Sequence, residues 1–260
     1  MAVRSGSSGS SVSPRDIERA REILEQVYYD QMRILDGPVT YQLVQLNLEH
    51  TDRVRSNAAA IARGDGLDVN VLELAAVLHD VAKLDYRDSQ SGGIDTWHHH
   101  YRGAALARKI LLADLGKHAE TADRIAGMID AHSDIPFIRR YWEKHYHSAL
   151  RTPRTLEEKA LRDADTIDLL WVGGMSKIIH IRQVPGSDFH KEDGGDIQKA
   201  IASAKLSFME AIKVISTRTG KEMASGRIET VQSFFESLNH VKNLQDFLWI
   251  HDEFVRRGLT

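Results

Sequence analysis

The sequence predicts an all-α protein. Apolar residues recur at i, i+3, i+4 and i+7 in one segment after another, the spacing of helices that bury one face. Capping residues open many of these stripes, and Gly or Pro closes several of them. Alternating runs of Val, Thr and aromatics bounded by turns, the mark of strands, are nearly absent.

In chain order, residues 1–12 carry Ser5-Gly6-Ser7-Ser8-Gly9-Ser10-Ser11 and read as a flexible segment outside the fold. Ser13-Pro14-Arg15-Asp16 is a helix start, with Ser13 as N-cap and Pro14 at the first position. Ile17, Ala20, Leu24 and Val27 continue its stripe until Asp36-Gly37-Pro38 stops it. A second helix over 41–63 places Leu43, Leu46, His50, Val54 and Ile61 on one side. A third opens at Asp68 and runs to about Lys83, with Leu72, Ala75, Ala76 and His79 on one buried face. Residues 86–94 read as a loop, 97–115 and 119–132 as helices, and 137–154 as an irregular aromatic and basic stretch. Thr155-Leu156-Glu157-Glu158 is a capping-box signature for a helix that ends near Gly173-Gly174. After a loop around 185–195, two more helices follow, over about 197–217 and 221–256.

Composition narrows the function classes. The 260 residues carry a formal net charge of −3, without the basic excess of a dedicated nucleic-acid binder. No apolar run approaches the length needed to cross a bilayer. The chain has no cysteine, which excludes disulfides and thiolate metal sites and suits a cytoplasmic protein. Thirteen histidines remain, so a metal site here would use imidazole and carboxylate alone.

Histidines and aspartates interrupt the apolar stripes at several points: His50, the pair His79-Asp80, the run His98-His99-His100, His132 and Asp165. Inward side chains on facing helices are how helical folds build metal sites. An ionised carboxylate beside an apolar face is costly unless a cation neutralises it. Imidazole plus carboxylate suits Mn, Fe, Co, Ni or Zn better than Ca. Spacing alone leaves open whether these groups meet, since isolated buried histidines are ordinary.

The order His50 … His79-Asp80 … Asp165 resembles the defining motif of the HD superfamily of metal-dependent phosphohydrolases. His50-x-x-Arg53-Val54 is similar to its first-histidine segment, and Leu78-His79-Asp80-Val81-Ala82-Lys83 to its His-Asp-x-x-Lys form. Arg162-Asp163-Ala164-Asp165-Thr166-Ile167-Asp168 resembles its closing aspartate segment, which makes Asp165 the ligand and gives Asp163 and Asp168 supporting or helix-capping roles. His99-His100-Tyr101-Arg102-Gly103-Ala104 fits a fourth element with His99 in register, and His132 falls where some members carry a fifth histidine. Thr217-Arg218-Thr219-Gly220 through Arg227 resembles the tail of the small bacterial HD hydrolases, some of which cleave nucleoside triphosphates.

The resemblance implies an all-α HD bundle over 41–175, preceded by an N-terminal helix within 13–40 and followed over 176–260 by an additional helical pair packed on it. It implies a divalent ion (Mn, Fe, Ni, Co, Zn or Mg) at His50, His79, Asp80 and Asp165. One ion is favoured; with two, His99 and His132 would hold the second and Asp80 would bridge. Asp80 would orient the attacking water, and Lys83 would reach a phosphate oxygen. The expected substrate is a small phosphate ester or a nucleotide phosphoanhydride. Arg53 is a candidate phosphate contact, with a carboxylate partner as the equal alternative. Arg139 and Arg140, beside Tyr141 and Trp142, are candidates for nucleotide phosphates and base, although packing of Trp142 with solvated arginines is the commoner arrangement. The stripe Phe234, Phe235, Leu238, Val241, Leu244 and Leu248 is a core face or the seam of a homodimer. Two other functions fit the same ligands: a diiron oxygenase of the same fold, and a regulatory protein that has lost activity.

Overall fold

A computed structural model describes residues 11–32, 38–84, 98–146, 149–183 and 194–259. Among these residues there are eleven α-helices, one short 3-10 turn and no strand. In order the helices are α1 (Pro14–Met32), α2 (Pro38–Asp65), α3 (Val69–Leu78), α4 (His99–Ala113), α5 (Ala119–Ala131) and α6 (Pro136–Tyr146). They continue with α7 (Leu156–Leu169), α8 (Val172–Gln183), α9 (Ile197–Val214), α10 (Arg218–Ser237) and α11 (Leu244–Arg256). The expected loops over 86–94 and 185–193 lie outside the described residues.

The bundle is built around α3. Val71, Leu72 and every residue from Leu74 to Leu78 are buried, so all of this short helix except the edge at Asn70 and Glu73 has to be enclosed. Helices α1, α2, α5 and α7 enclose it. Asp68 caps its start by accepting from the Val71 amide at 3.1 Å. The helix ends at Leu78, not at Lys83, and residues 79–84 form a turn. That turn is held from α1: the Tyr28 hydroxyl donates to the Asp80 carbonyl at 3.0 Å and Gln31 Nε2 to the Val81 carbonyl at 2.9 Å. Both donors are buried, and buried carbonyls left unpartnered would cost about 1–3 kcal/mol each.

Several expectations are corrected. Leu46 is exposed; Val44, Asn47, Leu48 and Thr51 face inward there instead. The excluded segment 1–12 includes Val12, which is buried and whose carbonyl accepts from Asn70 at 3.0 Å. Pro38 and Pro136 are each the first residue of a helix, where the missing N–H costs nothing. The stretch 137–154 therefore contains α6, with Trp142 buried. The helix expected to end near Gly173-Gly174 ends at Leu169, and the two glycines lie in a further helix, α8, which starts at Val172. A Cβ on Gly174 would lie 2.6 Å from the Leu169 carbonyl oxygen, so glycine permits the tight passage from α7 into α8.

The last predicted helix is two, α10 and α11, separated by the 3-10 turn Leu238–His240 and restarted by Asn243 as N-cap. The C-terminal region thus holds α8, α9, α10 and α11, not a single pair. Asp163 of α7 ties it to the bundle by accepting from the Ser216 and Thr217 amides at 2.9 and 2.7 Å. Thr217 in turn caps α10.

Candidate metal centre

Four imidazoles and two carboxylates meet where α2, the 79–84 turn, α4, the end of α5 and α7 converge. His50 comes from α2, His79 and Asp80 from the turn, His99 from the first residue of α4, His132 from the C-cap of α5, and Asp165 from α7. Asp80 sits at the middle and is buried. Its Oδ2 lies 3.4 Å from His50 Nε2 and 3.2 Å from His79 Nε2. Its Oδ1 lies 3.3 Å from His99 Nε2 and 3.7 Å from His132 Nε2. Asp165 Oδ1 faces the first pair, 3.3 Å from His50 Nε2 and 3.8 Å from His79 Nε2. Within each histidine pair the Nε2 atoms are 3.3 Å apart.

The partners on the far side of the rings make this a donor set and not merely a crowded core. His79 Nδ1 lies 2.7 Å from the Ala76 carbonyl and His50 Nδ1 lies 2.7 Å from Asp168 Oδ2. Both acceptors place the proton on Nδ1 and leave Nε2 to offer its lone pair inward. Asp168 is itself gripped by Arg53, Nε to Oδ1 at 2.7 Å and Nη2 to Oδ2 at 3.2 Å. Asp80 Oδ1 is buried and makes no hydrogen bond. A carboxylate oxygen in that state is costly without a cation. Three overlapping groups of side chains therefore fit a metal ion: His50 with His79 and Asp80, His79 with His132 and Asp165, and Asp80 with His99 and His132.

Charge at the site follows from these contacts. Burial opposes the charge on His50, but its bonds to Asp165, Asp168 and Asp80 outweigh it and raise the ring to about 10 in the absence of metal. His132 is raised for the same reason, chiefly by Asp80 against the cost of burial. Burial acts the other way on the carboxyl groups, yet His79 and Lys83 hold Asp80 well below the usual range, and His50 and His79 lower Asp165. Lys83 pairs directly with Asp80 Oδ2. Although burial disfavours its charge, Asp80 and Asp165 raise Lys83.

The other predicted residues are placed as follows. Arg53 bonds Asp168, and its guanidinium lies 4.9 Å from the ring centre of Trp171. Arg139 forms a two-point pair with the buried Asp134, at 2.7 Å for each bond. Arg140 is turned to Glu210 on α9, at 2.7 and 2.8 Å, and is exposed. His98 and His100 pack against Trp142 with ring centres 5.0 and 4.9 Å apart, and His100 is buried.

Three contributors escaped the sequence reading. Ser133 Oγ lies 3.2 Å from the Nε2 of both His99 and His132; its position directly after His132 was the available signal. Tyr28 gave none, because a tyrosine on an apolar stripe reads as core. Lys177 is exposed overall, yet desolvation of its ammonium and the neighbouring Lys83 push it down to about 8, with Asp80 and Asp168 acting against them.

An all-helical bundle with this buried imidazole and carboxylate cluster is a metal-binding fold. A family model of the HD domain matches residues 47–170, which include all six clustered side chains, and the chain carries an HD domain. HD domains bind divalent metals, in keeping with the cluster. The chain is 23% identical over 189 residues to the protein YpgQ of Bacillus subtilis strain 168, across 73% of this chain and 80% of the relative. Its fold is similar to a crystal structure of Bacillus subtilis YpgQ, with a TM-score of 0.55 at 19% identity, covering 86% of this chain and 94% of that one. It is also similar to an HD-superfamily hydrolase of Bacillus thuringiensis, with a TM-score of 0.52 at 17% identity, covering 87% and 98%. These likenesses establish the fold. Among the described residues no helix is long and apolar enough to cross a membrane.

Proposed function

We propose that this protein is a divalent-metal-dependent hydrolase of small phosphate esters or nucleotide phosphoanhydrides. The observation that carries this reading is Asp80, a buried carboxylate with a histidine pair at each oxygen and one oxygen without a hydrogen bond. Two similar folds point the same way: one belongs to an HD-superfamily hydrolase, and YpgQ has been crystallised in complex with ADP. His50, His79, Asp80 and Asp165 would hold an ion, and Asp80, His99 and His132 offer a place for a second. Bound there, a divalent ion would acidify a water molecule and neutralise charge developing on phosphorus.

The chain's own groups divide the remaining work. Asp168 and the Ala76 carbonyl fix the orientation of His50 and His79. Asp80 would orient the attacking water. Lys83, paired with Asp80, would bind a non-bridging phosphate oxygen. Lys177 adds a second ammonium near it, and Arg139 is the nearer in sequence of the two predicted arginines to His132. A cytoplasmic location and a homodimer complete the proposal.

The test is purification without chelator, metal analysis, and a screen for phosphate and pyrophosphate release from nucleotides and phosphate monoesters with Mn added. Metal-dependent release is the expected result. Bound metal with no turnover across the panel would overturn the hydrolase reading. Oxygen uptake with two irons per chain would instead support the oxygenase alternative.

A further inference from the structure

A cavity of about 650 Å3 opens between α2, the end of α7 and α10. Its walls include Arg53 and Asn57 from α2, Asp168 and Trp171 at the end of α7, and Arg227 and Thr230 from α10. None of the six clustered side chains lines it. The separation follows from the His50 ring: Nε2 faces Asp80 and Asp165 while Nδ1 faces Asp168, so Asp168 and Arg53 lie on the far side of the imidazole from the cluster. The volume falls within the range of small-molecule sites.

Its walls carry two carboxylates and two guanidiniums, and these are unequally partnered. Asp52 is bound by Arg21, Nε to Oδ1 at 2.9 Å, and Asp168 is shared by Arg53 and His50. Arg227 donates to the neutral Ile167 carbonyl at 2.6 Å and contacts no carboxylate among the described residues. It is half-buried: desolvation acts against its charge, Asp168 acts in its favour, and Arg53 acts against it again. A partly desolvated guanidinium with no carboxylate in direct contact gains from a further negative charge placed against it. Guanidinium groups take phosphoryl oxygens in two-point fashion. Arg53 adds a second guanidinium held in place by Asp168 and by the face of Trp171.

We propose that this cavity is a second ligand site, separate from the metal cluster, which binds a phosphoryl oxyanion between Arg227 and Arg53. The phosphoryl group belongs either to a free inorganic anion or to a small organic phosphate. The site does not depend on the hydrolase reading, because it is assayed without metal and without turnover.

The experiment is calorimetric titration of the full chain carrying Asp80→Asn and stripped of divalent ions, using inorganic pyrophosphate and ADP as probes. At least one probe should bind, and Arg227→Gln should weaken binding by about tenfold or more, as loss of a charged partner does. Thr230→Glu keeps both arginines and the bond to Ile167 but places a carboxylate in the cavity, and it should weaken binding by a similar factor. Indole emission should change on titration, and Trp171→Phe should remove most of that change while binding persists. ADP binding more tightly than pyrophosphate supports the site and identifies an organic phosphate; equal binding supports it and identifies the inorganic anion. Absence of binding below about 1 mM in the stripped protein, or unchanged affinity in Thr230→Glu, would overturn the proposal.

Discussion

The two histidine pairs that face Asp80 sit in different charge environments. His50 is braced behind by Asp168 and His79 by the Ala76 carbonyl, and both face Asp165. His132, the C-cap of α5, has a brace like that of His79, its Nδ1 2.5 Å from the Ile129 carbonyl, and His99 is the first residue of α4. That second pair meets Asp80 Oδ1 and the neutral Ser133 hydroxyl. More fixed negative charge on the first side, from Asp165 and Asp168, implies tighter cation binding there. The comparison separates an ion that the fold is built to keep from one that it could exchange.

Removing the group common to both sides should have the largest effect. Asp80→Ala should reduce bound metal to background and abolish metal-dependent turnover, while far-ultraviolet circular dichroism keeps its helical signal. Full activity in that variant would break the comparison at its centre. Next in size, His132→Ala should lose only the weaker ion. Calorimetric metal titration of that variant should retain the tight phase, whereas Asp165→Ala should lose the tight phase first; the reverse order would mean the two sides have been ranked wrongly.

A smaller effect follows from loosening the brace behind His50. Asp168→Asn should weaken the tight ion by about 10–100-fold, the usual cost of losing such a carboxylate–histidine partner, read as a competition with a chelator of known affinity. That titration also has a pH signature. In the metal-free protein His50 is raised to about 10, so below that pH an incoming ion must expel its proton. Affinity should therefore rise with pH, by about tenfold per unit if His50 is the only proton released; equal affinities at pH 6 and 8 would contradict it. The same raised value gives the stripped protein stability that is fully present below an ordinary imidazole pKa and is lost as pH climbs through about 10. The smallest change is Tyr28→Phe, which leaves the Asp80 carbonyl only its bond from the Lys83 amide at 2.8 Å. It should cost about 1 kcal/mol in denaturant unfolding and displace metal affinity on both sides equally.

Side chains that announce themselves locally were legible in the sequence. Ser13 with Asp16, Asp68, and Thr155 with Glu158 marked helix starts because each cap is a bond between residues two or three apart. The six clustered residues stood out as polar groups where an apolar stripe should continue, and the resemblance to the HD motif singled them out as a set. What stayed hidden depends on neighbours distant in sequence. Gly174 looked like a stop, since only the Leu169 backbone pressed against it reveals why it has no side chain. The stripe from Phe234 to Leu248 continues across a real break because the turn at Leu238–His240 keeps those residues facing the same core. Arg53 offered phosphate and carboxylate as equal partners, and only the fold shows Asp168 in its grip.

The grip of α1 on the 79–84 turn bears on where this molecule can be cut. The match to the HD family model begins at residue 47, yet the donors that satisfy the Asp80 and Val81 carbonyls sit at positions 28 and 31. A boundary drawn by that match thus leaves both donors outside. The smallest fragment that keeps Asp80 in position is the one that retains Tyr28, and an excised 47–170 segment would carry every ligand while lacking part of what holds them.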